Sequence, residues 1–235
     1  MIEEPPIISI NEEMRRPSIR QVLAFQGVPT GFVVDALFGG GALNRAIQPI
    51  GSGRDINCLA AGPALTANCG PADILATLTA LHFLHEGDIL ISAFGGHQGC
   101  AAAGDRVTGM MKNNGAVGLV TDGPVRDYNG IVEVGLPVWC TGLTPASPYS
   151  SGPGSVGFAV QLGDQEIETG DMIIADRDGV VVVPFERIDE TIVNLERVKE
   201  AEQKLDEDVA NGLKIPHYVT ELLASDKVRH CKVAK

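Results

Sequence analysis

Two hydrophobic rhythms run along this chain. Between residues 30 and 142, apolar runs of strand length alternate with segments in which apolar residues return every three or four positions. The first rhythm is that of a buried strand and the second that of an amphipathic helix. Pro17-Ser18 opens a helix that Gly27 and Pro29 stop, and a second short helix over 31–37 runs into the glycines at 39–41. Strands are expected at 45–49 and 64–68. Pro71-Ala72-Asp73 then starts a helix over 74–84, the turn Glu86-Gly87-Asp88 ends it, and Ile89-Leu90-Ile91-Ser92-Ala93 reads as a buried strand. The unit repeats: glycine turn, helix 100–113, strand 116–121, turn Asp122-Gly123-Pro124, helix 127–134, strand 138–142. Such alternation predicts an α/β fold.

Beyond residue 142 the rhythm changes. Short strand-like runs separated by turns at Gly163-Asp164, Thr169-Gly170-Asp171 and 176–179 predict a β-rich layer beside the α/β layer. From 185 the chain becomes charged and helical, over 187–198 and 199–209, and six of its seven lysines lie at or beyond Lys199. We therefore expect a catalytic α/β domain over 1–184 and a C-terminal helical extension over 185–235 that contacts an adjacent subunit.

Composition narrows the partners. A net charge of −12 argues against a nucleic-acid-binding surface, which needs clustered Lys and Arg. Five scattered cysteines with no CxxC pair read as reduced thiols. The opening MIEEPPIISINEE is acidic and carries prolines, unlike a signal peptide, and no apolar run is long enough to span a bilayer. The expectation is a cytoplasmic chain with no membrane partner.

Chemistry concentrates in two glycine-rich turns. In Val117-Gly118-Leu119-Val120-Thr121-Asp122-Gly123-Pro124-Val125-Arg126-Asp127 a hydrophobic strand runs into a turn that delivers Arg and Asp side by side. At a turn into a helix the two side chains can converge: Arg offers a planar fork for a carboxylate, and Asp a hard oxygen for Mg²⁺ or Mn²⁺. A surface ion pair capping a helix would use the same residues. Upstream, Gly99-Cys100-Ala101-Ala102-Ala103-Gly104-Asp105-Arg106 is small enough for a ligand to approach the backbone, although a glycine-packed helix would read alike.

Together these segments carry a resemblance. Gly104-Asp105, some twenty residues, then Asp122-Gly-Pro-Val-Arg126-Asp127 resembles the 4-hydroxy-4-methyl-2-oxoglutarate/4-carboxy-4-hydroxy-2-oxoadipate (HMG/CHA) aldolase family of the RraA-like superfamily, which includes the regulator of ribonuclease activity A. The similarity continues through Val34-Asp35-Ala36-Leu37, Ala61-Gly62-Pro63-Ala64-Leu65-Thr66, Gly87-Asp88-Ile89-Leu90, Gly135-Leu136-Pro137-Val138, Gly170-Asp171 and Ala175-Asp176-Arg177-Asp178-Gly179, and spans roughly 30–212. It implies a swivelling β/β/α-type sandwich assembled as a homotrimer or homohexamer. It also implies a class II pyruvate aldolase, with oxaloacetate decarboxylase activity, acting on a small 2-oxo acid. Asp127 would be the direct metal ligand for Mg²⁺ or Mn²⁺. Glu202 of the adjacent subunit, or failing it Glu207, would complete the outer shell. Arg126 would contact the 2-oxo acid, the Gly104, Asp105 and Arg106 segment would hold its carboxylate, and the Asp105 side chain would order water as part of the catalysis. The chain departs from the aldolases at Ser147-Pro148-Tyr149-Ser150, where they carry a lysine.

Other readings are set aside or kept as rivals. Gly152-Pro153-Gly154-Ser155-Val156-Gly157 matches a dinucleotide fingerprint but follows a Ser/Pro loop and leads into a strand, so no nucleotide cofactor is expected. His82 and His85 lack a third ligand nearby. A Schiff base needs a desolvated lysine, and Lys112, the one lysine before Lys199, sits at a helix end. Two rivals remain: a non-catalytic protein-binding regulator of ribonuclease activity, and a related metal-dependent lyase or hydratase acting on a sugar-derived 2-oxo acid.

Overall fold

The computed structural model describes residues 6–231. In chain order the elements are β1 (Ile8–Ile10), α1 (Ile19–Ala24), α2 (Thr30–Ala36), β2 (Gln48–Pro49), β3 (Ala60–Asn68), α3 (Leu75–Ala80), β4 (Ile89–Ala93), α4 (Asp105–Asn113), β5 (Gly118–Thr121), α5 (Tyr128–Val134) and β6 (Val138–Cys140). There follow β7 (Gly154–Val156), β8 (Val160–Leu162), β9 (Gln165–Ile167), β10 (Met172–Ala175), β11 (Val180–Val183), α6 (Ile188–Ala210) and α7 (His217–Leu223).

Strands β3, β4, β5 and β6 pair in parallel, as the helices between them require. The sheet runs β1-β7-β3-β4-β5-β6-β2, with β10 joined to β3 and β11 to β10. Strand β3 is longer than its apolar core suggested because it serves two partners. Residues Ala60 to Pro63 pair antiparallel with β10, and Ala64 to Asn68 pair in parallel with β4. The β-rich layer expected after residue 142 therefore joins the main sheet through β7, β10 and β11, while β8 and β9 form a separate hairpin. Leu65, Ile89, Leu90, Ile91, Leu119 and Trp139 are fully buried around the parallel strands, and the Trp139 indole donates to the Asp176 carbonyl at 2.7 Å.

Several acidic positions of the resembling motifs are structural. The Asp176 carboxylate accepts from the Thr30 amide at 2.9 Å and the Thr30 hydroxyl at 2.8 Å, anchoring the start of α2. Asp88 is fully buried, takes both guanidinium nitrogens of Arg16 and accepts from the His85 amide at 2.9 Å. Asp171 accepts from the amides of Glu168 at 2.9 Å and Phe185 at 2.8 Å.

Three local expectations change. Helix α3 ends at Ala80, so His82 and His85 lie past it and share no helix face. The segment 100–104 is extended rather than helical, because its backbone bonds across to the Arg126 turn: Ala102 N donates to Pro124 O at 2.8 Å, and Arg126 N to Ala103 O at 3.0 Å. The two tail helices expected at 187–198 and 199–209 are one helix, α6. Chain contacts divide the molecule into two units between Leu195 and Glu196. Ile188, Thr191 and Leu195 are buried in the first unit. In the second unit no described residue is buried, and Leu205, Val209, Tyr218, Leu222 and Leu223 are exposed.

Candidate active site

The turns that follow β4 and β5 leave the carboxyl ends of adjacent parallel strands, where open α/β sheets gather ligands. Asp122 locks them together. Its carboxylate accepts from the Phe94 amide at 2.5 Å and the Gly96 amide at 2.6 Å. Gln98 adds a clamp, donating to the Asp122 carbonyl at 2.9 Å and accepting from the Thr141 hydroxyl at 2.8 Å.

On this platform the chain bends sharply at Asp127, whose φ of 60° and ψ of 47° are left-handed. Few non-glycine residues adopt that region, although Asp and Asn are enriched among those that do. The bend starts α5 and brings Asp127 back beside Arg126, with Arg126 Nε 3.1 Å from Asp127 Oδ2. The far end of the guanidinium donates to Ser147 Oγ at 2.6 Å.

Facing this pair is the first turn of α4. A Cβ on Gly104 would lie 2.6 Å from Asp127 Oδ2 and 3.1 Å from Arg126 Cγ, so the pair packs directly against bare backbone. Asp105 Oδ1 accepts from the Arg106 amide at 2.6 Å. The Asp105 side chain also rests on α5, where a Cβ on Gly130 would come within 2.6 Å of the Asp105 Cβ. Helix α4 thus presents amides and a carboxylate to the same space as the Arg-Asp pair. At a helix start these amides favour anions.

Gly104, Asp105, Arg106, Arg126 and Asp127, all expected from sequence, line one cavity of about 50 Å³ together with Ile74 and Pro148. A second cavity of about 310 Å³ shares Arg126 and Asp127 and is completed by Tyr128, Leu143, Thr144 and Pro145. The sequence marked Ser147 only as a departure from the aldolases; its contact with Arg126, Gly130 and the lining of this second cavity were missed, since the partners lie far along the chain. Glu202 and Glu207 belong to the second unit, where Glu207 accepts from Gln203 Nε2 at 3.1 Å.

A divalent cation at this site would have one protein carboxylate, Asp127. Among the described residues no three His, Cys, Asp or Glu side chains converge, so no dehydrated protein cage is built. Asp127 is about two-fifths exposed, and its Oδ2 faces Arg126. A single carboxylate suits Mg²⁺ or Mn²⁺, which retain waters and share their shell with substrate.

Residues 30–182 match the family model described as "RraA-like: Aldolase/RraA". A relative from Halalkalibacterium halodurans, provisionally named a 4-hydroxy-4-methyl-2-oxoglutarate aldolase, is 31% identical over 81% of this chain and 89% of its own length. The crystal structure of an uncharacterized Pseudomonas syringae protein superposes with a TM-score of 0.72 at 21% identity, covering 85% of this chain and 96% of that one. Streptomyces coelicolor RraAS2, described as an unusual member of the RNase ES inhibitor RraA family, gives a TM-score of 0.70 at 25% identity over 82% of this chain and 99% of that one. The expected α/β architecture with a C-terminal helix is therefore the RraA-like fold. The chain belongs to the RraA-like Aldolase/RraA family.

Proposed function

We propose that this chain is a divalent-metal-dependent lyase that cleaves a 4-hydroxy-2-oxo acid by retro-aldol chemistry and releases pyruvate, with oxaloacetate decarboxylation as a second activity of the site. One observation carries the reading: Arg126, Asp127 and the start of α4 meet in a single cavity. The naming of relatives as aldolases supports it.

In this reading the Asp105 amide, at the start of α4, holds the substrate carboxylate. Arg126 donates to the 2-oxo group and to the oxygen at the breaking bond, its fork held by Asp127 and Ser147. Breaking the C3–C4 bond leaves its electron pair on C3 as a pyruvate enolate. The hydroxyl proton passes to a water ordered by Asp105, and the far fragment departs as a carbonyl compound. Asp127 would hold Mg²⁺ or Mn²⁺, which supplies Lewis acidity to the enolate. Glu202 of a second copy in a trimer or hexamer would reach the outer shell. Lysine chemistry is disfavoured because Lys112 Nζ donates to the Val134 carbonyl at the end of α5.

The test is pyruvate release from oxaloacetate and from 4-hydroxy-4-methyl-2-oxoglutarate with Mg²⁺ or Mn²⁺, repeated after EDTA. Release that EDTA stops, and that Asp127→Ala and Arg126→Ala each reduce by at least about a thousandfold while the protein stays folded, is the expected outcome. Full activity in either variant removes the proposed site. No pyruvate from folded, metal-supplied protein favours the regulatory reading, which the likeness to Streptomyces coelicolor RraAS2 keeps in view.

A further inference from the structure

We infer that Ser147 is the positioning residue for Arg126: its hydroxyl fixes the outer end of the guanidinium, so that Arg126 meets charge developing on the substrate rather than swinging into solvent or closing onto Asp127. The inference rests on the lyase reading and adds to it the residue that aims its cation.

Arg126 enters the site on a flexible stem and is about one-third exposed. Such a charge helps a transition state only if its direction is set beforehand. Nε lies 3.1 Å from Asp127 Oδ2, and Nη1 donates to Ser147 Oγ at 2.6 Å. These nitrogens are separate corners of one planar group, so with the bond to Cδ they fix its plane. Nη2, the corner that neither contact uses, is thereby given one direction. The Nε contact alone would let the guanidinium pivot, and the geometry it favours with a carboxylate is a two-pronged fork. That fork would neutralise Arg126 with Asp127 and turn the Asp127 oxygens away from a cation. A hydroxyl suits the task because it accepts the hydrogen bond without adding negative charge. The guanidinium then keeps its full charge for the substrate oxygen.

The Ser147 hydroxyl is held in place because its loop is pinned on both sides. Upstream, Thr144 N donates to Val125 O at 2.9 Å, one residue before Arg126, and Ala101 N donates to Ala146 O at 3.0 Å. Downstream, Tyr149 N donates to Ala72 O at 2.8 Å and Ile74 N to Tyr149 O at 2.9 Å. Pro148 restricts Ser147 itself to extended backbone, and Pro148 lines the smaller cavity together with Arg126. Ser147 is thus tied to the glycine-rich turn and to the Arg126 turn at once. It is exposed, so its hydroxyl matters little to the core.

The experiment sets Ser147→Ala and Ser147→Thr beside the natural chain, each full length and saturated with Mn²⁺. It measures kcat and KM for pyruvate release from oxaloacetate and from 4-hydroxy-4-methyl-2-oxoglutarate. Calorimetry measures binding of pyruvate and of oxalate, a stable mimic of the pyruvate enolate. Ser147→Ala is expected to lower kcat by about tenfold to a hundredfold, with KM changed by less than about threefold. It should weaken oxalate by about tenfold or more, leave pyruvate nearly unchanged, and melt like the natural chain. Ser147→Thr keeps the hydroxyl and should recover kcat to within about threefold. Where the natural chain turns over, three results overturn the inference and leave the lyase standing: kcat within about twofold in Ser147→Ala, no recovery in Ser147→Thr, or equal weakening of oxalate and pyruvate. No pyruvate from the natural chain sinks the lyase reading for these substrates, and oxalate then decides. Binding weakened by about tenfold in Ser147→Ala and recovered in Ser147→Thr supports the aiming of Arg126. Equal binding by all three proteins, or none by the natural chain, overturns it.

Discussion

At the scale of single residues, the site depends as much on missing side chains as on those present. Gly104 leaves room for the Asp127 carboxylate, and any side chain there pushes Asp127 and Arg126 away from the first turn of α4. Gly104→Ala is expected to lower kcat/KM by about a hundredfold, since a displacement near 1 Å is enough for such a loss. Its circular dichroism should remain native, and activity within a factor of two of the natural chain would show that the close approach is dispensable. Arg126 and Asp127 were legible in the sequence because adjacency and a Gly-Pro turn announce them. Ser147 was not legible as a partner of Arg126, because 21 residues separate the two and only the folded loop joins them. The acids Asp88, Asp171 and Asp176 stand in equally conspicuous motifs, yet each is occupied with backbone amides, or with Arg16 in the case of Asp88. Motif alone does not separate a ligand from a cap.

Among the elements, the coupling of α4 to α5 carries the chemistry. Asp105 begins one helix and lies on Gly130 of the other, while Lys112 at the far end of α4 donates to the α5 carbonyl of Val134. Gly130→Ala forces the helices apart or turns Asp105 out of place. We expect a loss of about 1–3 kcal/mol of stability, from the overpacking, together with impaired turnover. Thermal melting and kinetics on one preparation check both, and an unchanged melting point would refute the packing argument. The parallel strands and their helices were readable from periodicity, and β4 matches its expected span of 89–93. The extended run before α4 was not. Its small residues favour a helix by composition, and only pairing with the Arg126 turn holds it open. Strand β3 was read short for a related reason, since its first half pairs with β10, more than a hundred residues away.

For the molecule as a whole, the four buried thiols and the exposed Cys231 divide sharply. Burial raises the pKa of Cys58 and Cys69 and pushes Cys140 up to about 11. Because the thiolate is the reactive form, a short iodoacetamide pulse on native protein at pH 8 is expected to add one group, at Cys231, against five after unfolding. Mass spectrometry reads the count, and native labelling of Cys140 would contradict its burial. The sign of the pH effect follows: the contribution of the neutral Cys140 thiol to stability is complete below about pH 8.5 and is lost as pH rises through 11. No helix among the described residues is long and apolar enough to cross a membrane. The second unit, with no buried described residue, lacks a core of its own, and its exposed Leu205, Val209 and Leu222 suit the proposed contact with another copy. Light scattering on the full chain should give a trimer or hexamer, and a strict monomer would remove Glu202 from the site. The charged, helical character of this tail was plain in the sequence.

The left-handed turn at Asp127 also bears on how this protein should be engineered. Asparagine tolerates that backbone shape at least as well as aspartate and keeps an oxygen for Arg126, without the negative charge. Asp127→Asn should therefore melt at or above the temperature of the natural chain while giving no pyruvate. A library ranked by heat resistance alone would enrich this dead variant, and the same holds for any selection that never asks for turnover.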